Sequence, residues 1–394
     1  MKTLGILGGG QLGKMLCQAA SNWHLEVSVL DQSQEFPAAP YASRFVEGDF
    51  RRSEDVLAFG RSVDVLTIEI EHIDTAALHQ LEAEGVKVYP QPSVIDTIKD
   101  KGLQKQFLAE HGIATADFEL LAGPAEVQKK VQDQSWNFPF VQKMRTGGYD
   151  GRGVQLVRSA ADLDQLLPGP CLVEKMADID KELAVIVARR PNGELRVFPC
   201  VEMEFHPTAN LVEYLLCPAR IDGDTLARAN QLAIQTAEAF GIVGLLAVEL
   251  FLNKDGSIWV NEVAPRPHNS GHHSIEACLT SQYEQHLRAV LDLPLGSTDL
   301  LRPAVMANLL GAEGHTGPAH YDGLEDALAM PGLYPHFYGK AMTKPFRKMG
   351  HLTGLGDTLE EARTKVEQGR EKLRVVTREA SPPAPRRRRG EFLK

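Results

Sequence analysis

Thirteen residues, Val260 to His272, bring together a carboxylate (Glu262), amides (Asn261, Asn269), a guanidinium (Arg266) and imidazoles (His268, His272) directly after an apolar run. A connecting loop rarely needs all four chemistries. Just upstream, Leu245–Leu252 reads as a buried strand, Asn253–Gly256 as a turn and Ser257–Glu262 as the return strand. A two-residue type I′ turn at Asp255-Gly256 is the favoured chemistry for that dipeptide. Counting outward from it sets Lys254 opposite Ser257 and Glu249 opposite Glu262. Directly opposed residues on antiparallel strands have Cβ atoms about 5 Å apart, so two like charges would lie side by side unless a cation sits between them. A few hard oxygen ligands, with room left for water and phosphate oxygens, suit Mg²⁺ carried in with a nucleotide. The plainer alternative is a solvated edge hairpin with two exposed glutamates. Strict alternation turns Asn261 to the face opposite Glu262, so either the strand bulges there or Asn261 has a different role.

Other stretches supply phosphate chemistry. Met144 to Val154 holds four glycines, Gly147, Gly148, Gly151 and Gly153, close to Lys143 and Arg145. Such a flap can lie over a polyphosphate while Lys143 neutralises it. It is not a P-loop, because no Gly-Lys-Ser/Thr follows; the alternative is a long surface turn. A strand at Pro170–Val173 runs into Glu174-Lys175-Met176-Ala177, a pattern suited to an adenine and ribose site, and Glu182 opens another strand that can reach the same ligand. Near the other end, Lys340, Lys344, Arg347 and Lys348 form a local basic cluster. It fits either a phosphate monoester or a solvated basic face.

The elements that must position these groups are those of an α/β protein. The first ninety or so residues alternate short apolar runs (Thr3–Leu7, Val27–Leu30, Val65–Ile68) with amphipathic stretches, the βαβ pattern of a parallel sheet. Gly8 to Gly13 forms a G-x-G-x-x-G turn opening a helix, with Asp31 at the end of the second strand. Alone it would say NAD, although as physics it is a cradle for any phosphate. Glycines serving only a tight turn are the alternative. A boundary falls at Pro90–Ser93, followed by one basic amphipathic helix from Asp96 to Glu110 and a smaller lobe over about 116–172.

With 394 residues the chain should hold two or three domains. A net charge of −10 argues against coating nucleic acid, although Arg386–Arg389 is locally basic. Five cysteines without CxxC spacing predict reduced thiols and no structural zinc. No signal peptide and no membrane-length apolar run are found, which predicts an intracellular protein without a membrane partner.

Together these pieces resemble the ATP-grasp superfamily, and within it the 5-(carboxyamino)imidazole ribonucleotide synthases of purine biosynthesis. The resemblance runs from Gly5 to about Leu355, and its most specific words are Arg145–Gly153, Asn261–Arg266 and His268–His272. It implies a Rossmann-like N-terminal domain (1–95), a central ATP-grasp domain (96–295) with a lid lobe, a small C-terminal domain (296–378) and a disordered tail (379–394). The implied ATP contacts are Lys101, Lys143, the flap residues Gly148, Tyr149, Asp150, Gly151, Arg152, Gly153 and Val154, the run Glu174, Lys175, Met176 and Ala177, then Glu182, His206, Asn261 and Glu262. Glu249 and Glu262, with Asn261 alongside, would hold Mg²⁺ or Mn²⁺. Gln11, Leu12, Glu69, Tyr149, Asp150, Asn269, Ser270, Lys340, Arg347 and Lys348 would bind aminoimidazole ribonucleotide, with Glu69 meeting its amine. Arg266, His268 and Lys340 would be catalytic, the first two holding bicarbonate and the intermediate made from it. Met144 departs from the pattern, standing where a second basic residue often occurs.

The resemblance implies a cytoplasmic homodimeric ligase that makes carboxyphosphate from ATP and bicarbonate, without biotin or NAD. The rivals are an ATP-grasp ligase acting on glycinamide ribonucleotide with formate, an NAD-dependent oxidoreductase, and a non-catalytic nucleotide sensor.

Overall fold

In the computed structural model, residues 2–148, 153–205 and 211–378 are described. Their short apolar runs pair into three larger sheets. The first is five-stranded and parallel, in the order Arg44–Glu47, Val27–Asp31, Leu4–Leu7, Val65–Ile68, Lys87–Val88. All four residues of Leu4–Leu7 are buried, as a central parallel strand covered on both faces requires. Helix Gln11–Ser21 turns Leu12, Met15, Leu16 and Ala20 inward, where they share a core with Leu287 and Val290 of helix Gln282–Val290 and with Tyr338. One apolar cluster thus joins the beginning, middle and end of the chain.

A nine-stranded antiparallel sheet forms the body. Its path is Ile258–Ala264, Gly244–Asn253, Ile179–Arg189, Val201–Phe205, Val212–Cys217, Ala304–Leu310, Lys348–Leu355, Leu333–Phe337, with Leu195–Val197 pairing on Ile179–Arg189. Helix Gly223–Phe240 covers it with a face of Ala229, Ala233 and Ala237 against Val185, Val187, Leu246 and Val248, small side chains that let helix and sheet approach closely. Asp222 caps that helix by accepting from the N–H groups of Asp224 and Thr225, a contribution of about 1 kcal/mol. The strands after residue 303 extend this same sheet, so the C-terminal segment is joined to the body by the hydrogen bonds between Val212–Cys217 and Ala304–Leu310. A four-stranded lobe, in the order Phe118–Leu121, Cys171–Lys175, Phe140–Met144, Val154–Val157, stands beside it.

Three local expectations need correction. The helix expected from Asp96 to Glu110 is two helices, Pro92–Ile98 and Lys101–Glu110. Asp100 breaks it by capping the second, accepting from Gly102 N at 2.8 Å and Leu103 N at 3.2 Å while pairing with Arg145 at 2.7 Å. A Cβ on Gly102 would lie 2.8 Å from Arg145 Nε, so the glycine makes room for that clamp. The strand placed at Pro170–Val173 runs to Lys175, which puts Glu174 inside the sheet and not after it.

The hairpin turn is also longer than counted. Leu252 pairs with Ile258, and Asn253 N donates to Ser257 O, leaving Lys254-Asp255-Gly256 as a three-residue connection with Gly256 at φ +81°. That shifts the register by one residue. A bulge at Asn261 then shifts it back, because Leu250 pairs with Val260 but Glu249 pairs with Glu262.

Candidate active site

A cavity of about 580 Å³ opens where the three sheets meet. Gln11, Leu12, Glu69 and Glu71 reach it from the carboxyl ends of the parallel strands, the edge at which open α/β sheets bind ligands. Lys101, Arg145 and Gly148 line it from the lobe side, Glu249, Glu262, Arg266, His268, Asn269 and Ser270 from the long hairpin and its following loop, and Lys348 from the C-terminal strands.

The glycine turn is not a phosphate cradle in this structure. Glu69 accepts from Gly10 N at 2.8 Å and Gly13 N at 2.9 Å, and Asp31 accepts from Gly9 N at 2.7 Å. These are the donors that an anion at a helix N-terminus would use, and two carboxylates beside them repel a phosphate. The glycines answer to Glu69. A Cβ on Gly8 would lie 2.4 Å from Glu69 Cγ, and one on Gly10 would lie 2.6 Å from Glu69 Oε1. Gly13 is needed for close packing, since its Cβ would meet Gly8 O at 2.6 Å. The NAD reading loses its pyrophosphate donors here, and Asp31 turns inward.

Phosphate-sized positive charge lies on the lobe side instead. Lys101, Lys105, Lys143, Glu174, Asn261 and Glu262 surround a narrow recess next to the cavity. Lys105 and Lys143 pair with the two oxygens of Glu174 at 2.8 and 2.7 Å, Lys143 also donates to Asn261 Oδ1 at 2.8 Å, and Lys101 pairs with Glu262. Burial alone would raise the Glu174 carboxyl, but two ammonium groups outweigh it and hold it at about 2. Lys105 and Lys143 share that one anion; burial pushes Lys105 down to about 8, and burial with the Lys143 charge does the same to Lys101. Glu174 therefore contributes stability that is fully present above the ordinary carboxyl value of 4.5 and lost as pH falls toward about 2. Urea unfolding across a pH series should show Glu174→Gln less stable than the parent at neutral pH, with the gap narrowing below pH 4.5; a constant gap would refute this.

Glu249 and Glu262 face each other across the hairpin, as counting predicted, although through two departures that cancel. Burial tends to raise Glu249, while the His268 contact at 3.2 Å and the Lys101 charge bring it below the usual range. His268 Nδ1 accepts from Ser270 N at 3.3 Å, which assigns its proton to Nε2, the nitrogen facing Glu249. The described residues contain no group of three or more His, Cys, Asp or Glu able to enclose an ion. Two hard carboxylates beside an open cavity nevertheless fit a metal that keeps water and phosphate oxygens as its other ligands. The bulge turns the Asn261 amide to Lys143, on the recess side. Glu182 lies two residues from Ala184, the partner of Glu249, and burial with the Glu249 charge pushes it up to about 7.

Arg266 Nε lies 2.8 Å from Glu71 Oε1, and its Nη1 donates to Pro267 O at 3.1 Å. Asn269 exchanges amide contacts with Asn308 on the C-terminal strands, at 2.9 and 3.3 Å.

Several expected residues lie away from these walls. Val154 sits in the outer lobe strand opposite Lys143, and Lys175 lies 5.8 Å over the Trp259 ring. Met176 is exposed, and it leads with Ala177 from the lobe to the body. Lys340 donates to Lys348 O at 2.8 Å and faces the Tyr338 ring, while Arg347 donates to Met342 O at 2.8 Å. Of the four basic residues near 340–348, the cavity wall holds Lys348. Gly153 has φ +78°, so the end of the flap depends on glycine there. Tyr149, Asp150, Gly151, Arg152, His206 and the 379–394 tail lie outside the described residues. Sequence reading gave no site role to Lys105, Glu71, His272 or Tyr338. Glu71 had a signal, since Glu69 and Glu71 alternate directly after an apolar strand. Lys105 had none beyond its helix.

No helix among the described residues is long and apolar enough to cross a membrane. Three described families match successive parts of the chain: a ribonucleotide synthetase preATP-grasp domain over 1–99, an ATP-grasp domain over 106–283, and a phosphoribosylaminoimidazole carboxylase C-terminal domain over 304–365. The N5-carboxyaminoimidazole ribonucleotide synthase of Synechococcus elongatus is 39% identical over 356 residues, 89% of this chain and 88% of that protein. The chloroplastic phosphoribosylaminoimidazole carboxylase of Vigna aconitifolia is also 39% identical, and the match covers 90% of this chain but 64% of that longer protein. The crystal structure of N5-carboxyaminoimidazole synthase from Aspergillus clavatus with ADP and 5-aminoimidazole ribonucleotide superposes with a TM-score of 0.85 at 36% identity, covering 94% of this chain and 98% of the other.

Proposed function

Since the chain belongs to the N5-carboxyaminoimidazole ribonucleotide synthase family of ATP-grasp ligases, we infer that it carboxylates the exocyclic amine of 5-aminoimidazole ribonucleotide with bicarbonate and ATP, in purine biosynthesis. The observation that carries the reading is one cavity joining the Glu249/Glu262 pair and Lys101 to Arg266 and His268, beside the Lys143 recess. A nucleotide end and an acid end are thereby adjacent.

Bicarbonate is a poor electrophile, so its oxygen first attacks the γ-phosphorus of ATP, releasing ADP and giving carboxyphosphate. Lys101 and Lys143 neutralise the phosphates as charge moves to ADP. Magnesium bound with ATP at Glu249 and Glu262 would supply Lewis-acid polarisation of phosphate oxygens. Arg266 and His268 orient the carboxyl group. The amine then attacks its carbon, or CO₂ released from it, and loses a proton to give the carbamate and phosphate. Keeping water out of the cavity would spare the intermediate from hydrolysis. Glu69 has its carboxylate on the glycine turn, so in this reading it shapes the ribonucleotide end of the cavity and faces the amine from there. A cytoplasmic homodimer completes the reading on family resemblance alone; light scattering tests the dimer.

Phosphate release from Mg·ATP in bicarbonate buffer tests the substrate. Stimulation by aminoimidazole ribonucleotide is expected. Stimulation only by glycinamide ribonucleotide with formate would keep the fold and replace the function.

A further inference from the structure

Glu69 and Glu71 follow the strand Val65–Ile68 in the bent segment after it, and both line the cavity. Glu69 is fastened to the glycine turn through Gly10 N and Gly13 N, and Glu69 N donates to Leu7 O at 3.0 Å. Glu71 is fastened at its own backbone, where its carbonyl accepts from Ile73 N at 2.9 Å. Its carboxylate reaches out of the first sheet to Arg266, which follows the long hairpin of the body, at 2.8 Å. Both side chains are largely enclosed, 16% and 21% exposed, so this is not a solvated surface pair.

We propose that Glu71 is a positioning residue, holding the Arg266 guanidinium in the orientation that binds bicarbonate and its phosphorylated form. The inference rests on the reaction proposed above. Among the described residues, Glu71 contacts Arg266, and the charges of Glu69 and Glu249 act on it at longer range. With Glu71 neutral, the remaining attraction draws the guanidinium toward Glu69 and Glu249, away from the acid and toward the carboxylate reserved for the nucleotide end. Burial raises the Glu71 carboxyl, but Arg266 outweighs it and keeps the group below its ordinary range, which matches a standing charge pair.

The test uses the full chain in CO₂-depleted buffer, with wild-type stimulation by aminoimidazole ribonucleotide established first. E71Q should raise the KM for bicarbonate about ten-fold or more, in line with the cost of misplacing a binding group. Its KM for ATP should stay within about two-fold of wild type, and more ADP than carbamate should form. In an R266K background the same substitution should add little, because groups acting through one contact are not additive. E71D keeps the charge on a shorter stem and should raise the bicarbonate KM less; it serves if E71Q does not fold. A wild-type bicarbonate KM in folded E71Q or E71D overturns the role of Glu71, as does full additivity with R266K. Absence of wild-type stimulation rejects the reaction, and this role with it.

Discussion

Glu262→Gln should lower kcat/KM for Mg·ATP about 100-fold or more, the equivalent of about 3 kcal/mol of lost transition-state stabilisation. The substitution keeps the shape and one carbonyl oxygen but removes the charge that, with Glu249 opposite, makes the hairpin a site for a divalent cation. It also frees Lys101 from its partner, so a stability loss should accompany the loss in ATP-dependent steps. Titration of activity with Mg²⁺ or Mn²⁺ separates the two: a raised metal requirement is expected, and near-normal turnover at ordinary metal concentration would remove Glu262 from the metal role.

Lys143→Met should be comparably severe, with kcat falling about 100-fold to 1000-fold, the range seen when one preorganised donor to a developing charge is removed. Lys143 sits in the lobe strand Phe140–Met144 and reaches both Glu174 and Asn261. Its contact with Asn261 ties the lobe to the bulge of the long hairpin through a side chain at both ends. The variant also leaves Glu174 with Lys105 as its remaining ion-pair contact among the described residues, and losing a partner from a buried ion pair costs up to about 3–5 kcal/mol. Thermal unfolding and ATP turnover should therefore both fall. A variant with normal stability and normal turnover would contradict the placement of Lys143 beside the phosphates.

How much of this could be read beforehand depends on whether a local rule decided it. The parallel first sheet and the long hairpin follow from short apolar runs and turn residues, and both formed where the pattern put them. The Glu249–Glu262 pairing came out as counted only because a three-residue turn and a bulge cancel. Asn261, which alternation could not accommodate, is the bulge.

The glycine turn misled for a physical reason. Glycines report that something approaches the backbone closely, and they do not say whether it is a ligand's phosphate or the chain's own Glu69, 59 residues away from Gly10. Lys105 and Glu174 were assigned to no pair because their contact links a helix to a lobe strand far along the chain. The continuation of the body sheet into the C-terminal strands was likewise illegible, since strand pairing between Val212–Cys217 and Ala304–Leu310 leaves no local mark. The helix break at Asp100 was within reach, because Asp followed by Lys-Gly is a capping position that the basic periodicity concealed.

The central claim is that bicarbonate is activated by ATP before the imidazole amine captures it. Turnover with ¹⁸O-bicarbonate and aminoimidazole ribonucleotide, followed by mass analysis of the released phosphate, tests that step directly. Attack of a bicarbonate oxygen on the γ-phosphorus predicts that each phosphate released in step with carbamate carries one ¹⁸O. Unlabelled phosphate formed alongside carbamate would mean that water received the phosphoryl group, and would contradict the carboxyphosphate route.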